Sequence, residues 1–102
     1  MIVRFEILVS VGVNEDLKAL RAYDRQMILD AIETQLPHTP NVATTQRKLL
    51  RNLAPPFEAI PPIWQLRVGG FRVFYDVEEE THRVYVRAIR RKPAHRHTEE
   101  IL

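Results

Sequence analysis

The 102-residue chain contains no cysteine, three glycines and a single serine, Ser10. Without cysteine there is no disulfide scaffold, thiolate zinc site or cysteine nucleophile. Three glycines, only two of them adjacent, leave no glycine-rich phosphate loop, and the lone serine sits in no Gly-x-Ser-x-Gly elbow. No apolar run approaches the roughly 20 residues of a membrane helix. The first six residues mix Arg4 with Glu6 instead of setting a basic segment before an apolar one, so a cytosolic, soluble protein is expected. No two carboxylates stand out as a hydrolytic pair. Catalysis, if any, falls to arginine, lysine, histidine and tyrosine, with Glu58 as a further candidate.

Apolar residues make up 45% of the chain and charged residues 27%, the composition of one globular domain over residues 1–102. The net charge of +2 is unevenly spread. Residues 1–46 carry four basic and six acidic side chains, whereas the tract 47–96 carries eleven basic and five acidic. A basic half on a near-neutral chain suggests a local anionic partner.

The segment from Ile2 to Leu8 is short and β-rich, and reads as a strand. Asn14 can cap a helix start. Leu17, Leu20, Met27, Ile28, Ala31, Ile32 and Leu36 follow a helical period, with a break near Ala22 and Tyr23 where Asp24 can cap a second helix, and Pro37 as the stop. This is a kinked helix or a helical hairpin. Residues 37–62 are punctuated by six prolines, and only Lys48 to Leu53 has the look of an element, a short strand or a turn of helix.

The clearest pattern follows. Trp64 to Val68 alternates, Gly69-Gly70 intervenes, and Phe71 to Val77 alternates again, which predicts a tight hairpin with a primed turn. Counting from the turn pairs Val68 with Phe71, Arg67 with Arg72, Leu66 with Val73 and Trp64 with Tyr75. A third strand, Arg83 to Arg90, brings Val84 opposite Val77, Val86 opposite Tyr75 and Ala88 opposite Val73. One face is then an apolar core under the helices. The other holds Gln65, Arg67, Arg72, Phe74, Asp76, Tyr85, Arg87 and Ile89.

Like charges directly opposite each other in a sheet are destabilising. Arg67 across from Arg72 therefore points to an anion site, since the guanidinium fork matches phosphate oxygens and stays charged. Neutralisation by a carboxylate such as Glu58 is the structural alternative. The tail from Arg90 to His97 is basic and contains His95 and His97, which can move protons near neutral pH. They form a His-x-His pair, but no third ligand has recognisable spacing, so no metal or other cofactor is expected. His38 and His82 read as loop residues and Trp64 as a core anchor.

Arg47-Lys-Leu-Leu-Arg-Asn-Leu53, Trp64-Gln-Leu-Arg-Val-Gly-Gly-Phe-Arg-Val-Phe-Tyr75 and Val84-Tyr-Val-Arg-Ala-Ile89 together resemble the RelE/ParE superfamily of bacterial type II toxins, over nearly the whole chain. The resemblance implies an α+β RelE-like fold. An N-terminal strand and two helices pack on one face of a mainly antiparallel sheet, and the other face is open, basic and concave. It also implies a toxin of a toxin–antitoxin system with a cognate acidic antitoxin as partner. The ribonuclease branch cleaves mRNA in the ribosomal decoding site without metal, and the nucleotide's own 2′-hydroxyl attacks the adjacent phosphate to leave a 2′,3′-cyclic phosphate.

The family's arginine after the hairpin aromatic falls on Arg72, and its second basic residue near Arg91 or Lys92. His95 or His97 enters on its chemistry alone, as a substitute acid or base and not as a motif match, which makes the catalytic set Arg72, Lys92, His95 and His97. Arg47, Lys48, Arg51, Arg67, Arg87, Arg90 and Arg91 would hold mRNA and rRNA. The chain departs from the best-known ribonucleases at Ile63 and Gln65, where they carry lysines, and has no tyrosine after Tyr85. The alternatives are a gyrase inhibitor of the ParE branch and an inactive antitoxin-binding member. A homodimer is compatible with either.

Overall fold

The structure is a computed structural model that describes residues 3–51 and 54–92. Its elements run β1 (Glu6–Val9), α1 (Val11–Lys18), α2 (Ala22–Gln35), β2 (Arg47–Leu50), β3 (Ile63–Val68), β4 (Phe71–Glu78) and β5 (Arg83–Arg91). The five strands form one sheet in the order β1-β5-β4-β3-β2. β1 pairs with β5 in parallel, and the other neighbours are antiparallel. The helices lie on one face, α1 against β5 and α2 against β3. No helix among the described residues is long and apolar enough to cross a membrane.

Helix α1 begins earlier than Asn14 would place it. Ser10 is the N-cap, its Oγ accepting from the Val13 N–H at 3.1 Å. The break before α2 is real, so the helices form a hairpin. Arg25 clamps it by donating to the carbonyls of Leu17 (3.0 Å) and Leu20 (2.9 Å) at the end of α1, where the Leu17 carbonyl also accepts from the Leu20 N–H at 3.2 Å. Asp24 does not cap α2. It lies in the first turn and accepts from Arg21 Nε at 3.2 Å.

The core is the one the periodicities select. Phe5, Leu17, Ile28, Ile32, Leu66, Val73, Tyr75, Val84 and Val86 are buried together, with Ile7 and Leu20 packed against them. Trp64 stacks on Tyr75 with ring centroids 6.4 Å apart. The Tyr75 hydroxyl donates to the Pro40 carbonyl at 2.7 Å, which ties the loop after α2 to the sheet.

The β3–β4 hairpin has the counted register throughout. Only Gly69 of the turn pair has positive φ (55°), the sign pattern of a type II′ turn. The β4–β5 register departs from simple alternation. Val77 pairs with Val84 and Tyr75 with Val86, as counted, but Phe74 then pairs with Ala88, Val73 with Ile89 and Arg72 with Arg90. Arg87 is an extra residue in β5, a bulge that exchanges the faces of everything after it. Ile89, expected on the open face, joins the core under the helices, and Ala88 moves to the open face.

The open face is also less open than expected. Phe74 is completely buried, in a second small cluster with Ile63 and Ala88. Leu50, Phe57 and Ala59 cover this cluster, so part of the segment between β2 and β3 forms a strap across the middle of the sheet. The strap is pinned where the Ile60 N–H donates to Asp76 Oδ2 at 2.9 Å.

Candidate functional site: a cationic cleft beside the hairpin turn

Beyond the strap, toward the Gly69-Gly70 turn, the open face remains a cleft of about 210 Å³ lined by Thr45, Gln46, Lys48, Gln65, Arg67, Arg72 and Lys92. Strand alternation places the first members. Lys48 is the register partner of Gln65, and Arg67 of Arg72, so all four lie on one face of three adjacent strands. Lys92 arrives from the end of β5, held by its backbone N–H donating to the Gly70 carbonyl at 2.8 Å. The cleft therefore draws its lysines from β2 and from the end of β5, although β3 offers only Ile63 and Gln65.

Arg72 is the most enclosed of these cations, 8% exposed. Its Nη1 donates to the carbonyls of Gly69 (3.0 Å) and Phe71 (2.8 Å), which fixes the guanidinium beside the turn. Burial, and then the neighbouring Arg67 charge, pull its pKa below the ordinary arginine value. Both effects say that the charge is poorly compensated. Among the described residues no carboxylate forms an ion pair with Lys48, Arg67, Arg72 or Lys92. Glu58, the candidate for neutralising the arginines, is exposed and in no such pair. Four cations converging on a small polar cleft, one of them desolvated and hydrogen-bonded in place, can hold the oxygens of one or two phosphates.

The remaining expected cations are placed elsewhere. Arg47 projects from the helix-side face of β2. It is buried and donates Nη1 to the Gln35 carbonyl at the end of α2 at 2.7 Å. Its run Arg-Lys-Leu-Leu has no alternation from which its face could be read. Arg87 pairs with Asp76 through Nε–Oδ2 at 2.7 Å and lies over the Tyr85 ring at 4.8 Å. The expected separation of Asp76 from the arginines fails because the bulge turns Arg87 onto it. Arg91 falls opposite Phe71 and lies over its ring at 4.5 Å.

Arg90, the register partner of Arg72, flanks the cleft but is partly tied to Asp16 at 3.6 Å and lies near the Phe57 ring. Arg51 is exposed just beyond β2 and does not line the cleft. His95 and His97 lie outside the described residues. Sequence reasoning left out Thr45 and Gln46, which enter the cleft because Gln46 O accepts from the Arg67 N–H at 2.7 Å. No periodicity announces a loop residue of this kind. Among the described residues no cluster of histidine, aspartate and glutamate side chains could hold a metal ion.

Residues 7–93 match the family described as ParE toxin of type II toxin–antitoxin system, parDE. No curated protein sequence matches the chain. Solved structures share the fold, two of them complexes. The toxin–antitoxin complex RelBE2 from Mycobacterium tuberculosis superposes with a TM-score of 0.65 at 18% identity, covering 82% of this chain and 93% of that one. The archaeal RelE–RelB complex from Pyrococcus horikoshii OT3 gives a TM-score of 0.68 at 17% identity, covering 92% and 99%.

Proposed function

Since the chain belongs to the ParE toxin family of type II toxin–antitoxin systems, we propose that its toxic act is metal-independent cleavage of mRNA, on the ribosome, within the cationic cleft. The observation that carries the reading is the convergence of Lys48, Arg67, Arg72 and Lys92 without carboxylate partners among the described residues. In this reaction a ribose 2′-oxygen bonds to the adjacent phosphorus and the bond to the 5′-oxygen breaks. The products are a 2′,3′-cyclic phosphate and a 5′-hydroxyl. Negative charge builds on the phosphorane oxygens, where a fixed guanidinium is most effective. Arg72 takes that role. Arg67 holds a neighbouring phosphate, and Lys92 supports the leaving oxygen. His95 or His97 takes the 2′-hydroxyl proton and returns one to the 5′-oxygen, the proton exchange near neutral pH that suits histidine in general.

The same cleft is the surface for a cognate antitoxin. One similar structure is a toxin–antitoxin complex and the other a RelE–RelB complex by their descriptions, and an acidic, largely helical segment laid across the cleft would neutralise its charge. Such a complex weakens as salt rises.

Two observations favour a second reading, inhibition of DNA gyrase. The matching family is that of ParE toxins, and the described cleft residues are arginine, lysine, glutamine and threonine, which grip phosphate without supplying a histidine or carboxylate for proton transfer. The test is single-turnover cleavage of ribosome-bound mRNA at saturating protein with EDTA present. Wild type should cut, and Arg72→Ala should slow the chemical step by about 2–4 kcal/mol, the effect of deleting a transition-state donor. A wild type that cuts no RNA but blocks gyrase supercoiling would overturn the ribonuclease reading in favour of the second.

A further inference from the structure

The helix-side face of the sheet carries a second concavity, at the opposite end from the cationic cleft. It is a groove of about 550 Å³ lined by Leu49, Pro62, Trp64 and Val77 on its floor and by Asn41, Glu78, Glu79 and Glu80 at its rim. Leu49 and Trp64 are register partners, and Val77 follows two residues after Tyr75, the partner of Trp64, so the floor is one continuous apolar patch. Glu78 accepts from the Thr81 hydroxyl at 2.7 Å, and Glu79 accepts from the Asn41 side-chain amide. Glu78 lies opposite Arg83 and acts on its charge, whereas among the described residues Glu79 and Glu80 form no ion pair.

We propose that this groove docks a cationic segment of a protein partner, one that inserts an apolar side chain onto Trp64 and Leu49 and sets lysine or arginine against Glu79 and Glu80. Charge complementarity selects the occupant. A nucleic acid is repelled by three successive carboxylates on the end of an otherwise basic chain. A second copy in two-fold arrangement would bring acidic rim against acidic rim. A head-to-tail copy would offer its cationic cleft, whose lining of Gln65, Arg67 and Lys48 has no apolar anchor for the floor. A segment with an apolar anchor flanked by cations satisfies both the floor and the rim.

This inference is independent of the nucleic-acid reading. Leu49 and Lys48 are adjacent in β2 and point to opposite faces, as do Trp64 and Gln65 in β3. Groove and cleft therefore lie on opposite faces of the same two strands and can be occupied together.

The experiment is fluorescence anisotropy of the intact chain with a labelled peptide that carries leucine and tryptophan between lysines. A second peptide with glutamines in place of the lysines serves as the comparison. The lysine peptide should bind, and the glutamine peptide should bind at least about tenfold more weakly. Glu79→Lys/Glu80→Lys should weaken binding about tenfold, with an unchanged thermal melt to show that the fold is retained. Failure of the lysine peptide to bind, equal binding of both peptides, or wild-type affinity in the charge-reversed variant would each overturn the assignment. So would a concentration-dependent dimer that the same double substitution abolishes, since that would make a second copy the occupant.

Discussion

The pairing of Asp76 with Arg87 can be tested by removing its members singly and together. The Asp76 side chain is 4% exposed and that of Arg87 16%. The carboxylate accepts from Arg87 Nε at 2.7 Å and Nη2 at 3.3 Å, and also from the strap's Ile60 N–H at 2.9 Å. Arg87→Met leaves a buried carboxylate with a single backbone donor. Breaking a buried pair from one side costs about 3–5 kcal/mol. Asp76→Asn keeps an acceptor for Ile60 and leaves a guanidinium that water still reaches in part, so about 2–4 kcal/mol is expected there. The double variant has no charge left to desolvate, and replacing both charges is often close to neutral. Its cost should therefore fall short of the sum of the two by about 2 kcal/mol or more. Urea unfolding of the four proteins measures this cycle. Against a total stability of about 5–15 kcal/mol, each single loss is large. Additive effects, or single losses below about 1 kcal/mol, would refute the claim that Arg87 is a structural partner of Asp76. Its RNA affinity offers a second check, because Arg87→Met should bind a single-stranded RNA as wild type does once folded.

Arg47 and Lys48 are neighbours of opposite fate. Arg47→Ala should lower stability by about 1–3 kcal/mol, since it removes a donor to the end of α2, and leave RNA affinity alone. Lys48→Ala should leave stability within about 0.5 kcal/mol and flatten the salt dependence of RNA binding by about one unit. Reversed outcomes would put the wrong residue on the cleft. Burial raises the Tyr75 phenol above the ordinary tyrosine range. Its folded-state pKa exceeds the unfolded value near 10, so the folded chain holds more protons above that pH and stability falls as pH rises further. Tyrosinate absorbance should therefore show one of the three tyrosines ionising only as the chain unfolds. Tyr75→Phe should remove that alkaline loss while costing about 1 kcal/mol at neutral pH through the lost bond to Pro40.

The hairpin register, the face of every residue from Trp64 to Val77 and the main core could be read from the chain because both devices are local. A two-residue turn sets which residues oppose, and period-two alternation sets which face the helices. The opposition of Arg67 and Arg72, and with it the idea of an anion site, follows from that counting alone. The tertiary structure decided the rest. Counting has no means of placing an extra residue, and Ala88 and Ile89 are both apolar, so either could face the core. The bulge at Arg87 settles which does, and it sends Arg87 to Asp76 and Arg90 to the strand position beside Arg72. Arg47-Lys-Leu-Leu lacks alternation, so only pairing with β3 shows that Lys48 faces the cleft while Arg47 faces the helices. Phe74 on a polar face was a sign that something must cover it. The cover comes from Leu50, Phe57 and Ala59, held by a backbone N–H on Asp76 in a proline-punctuated stretch without periodicity. Burial of that kind depends on contacts far apart in the chain, and only the folded arrangement brings them together.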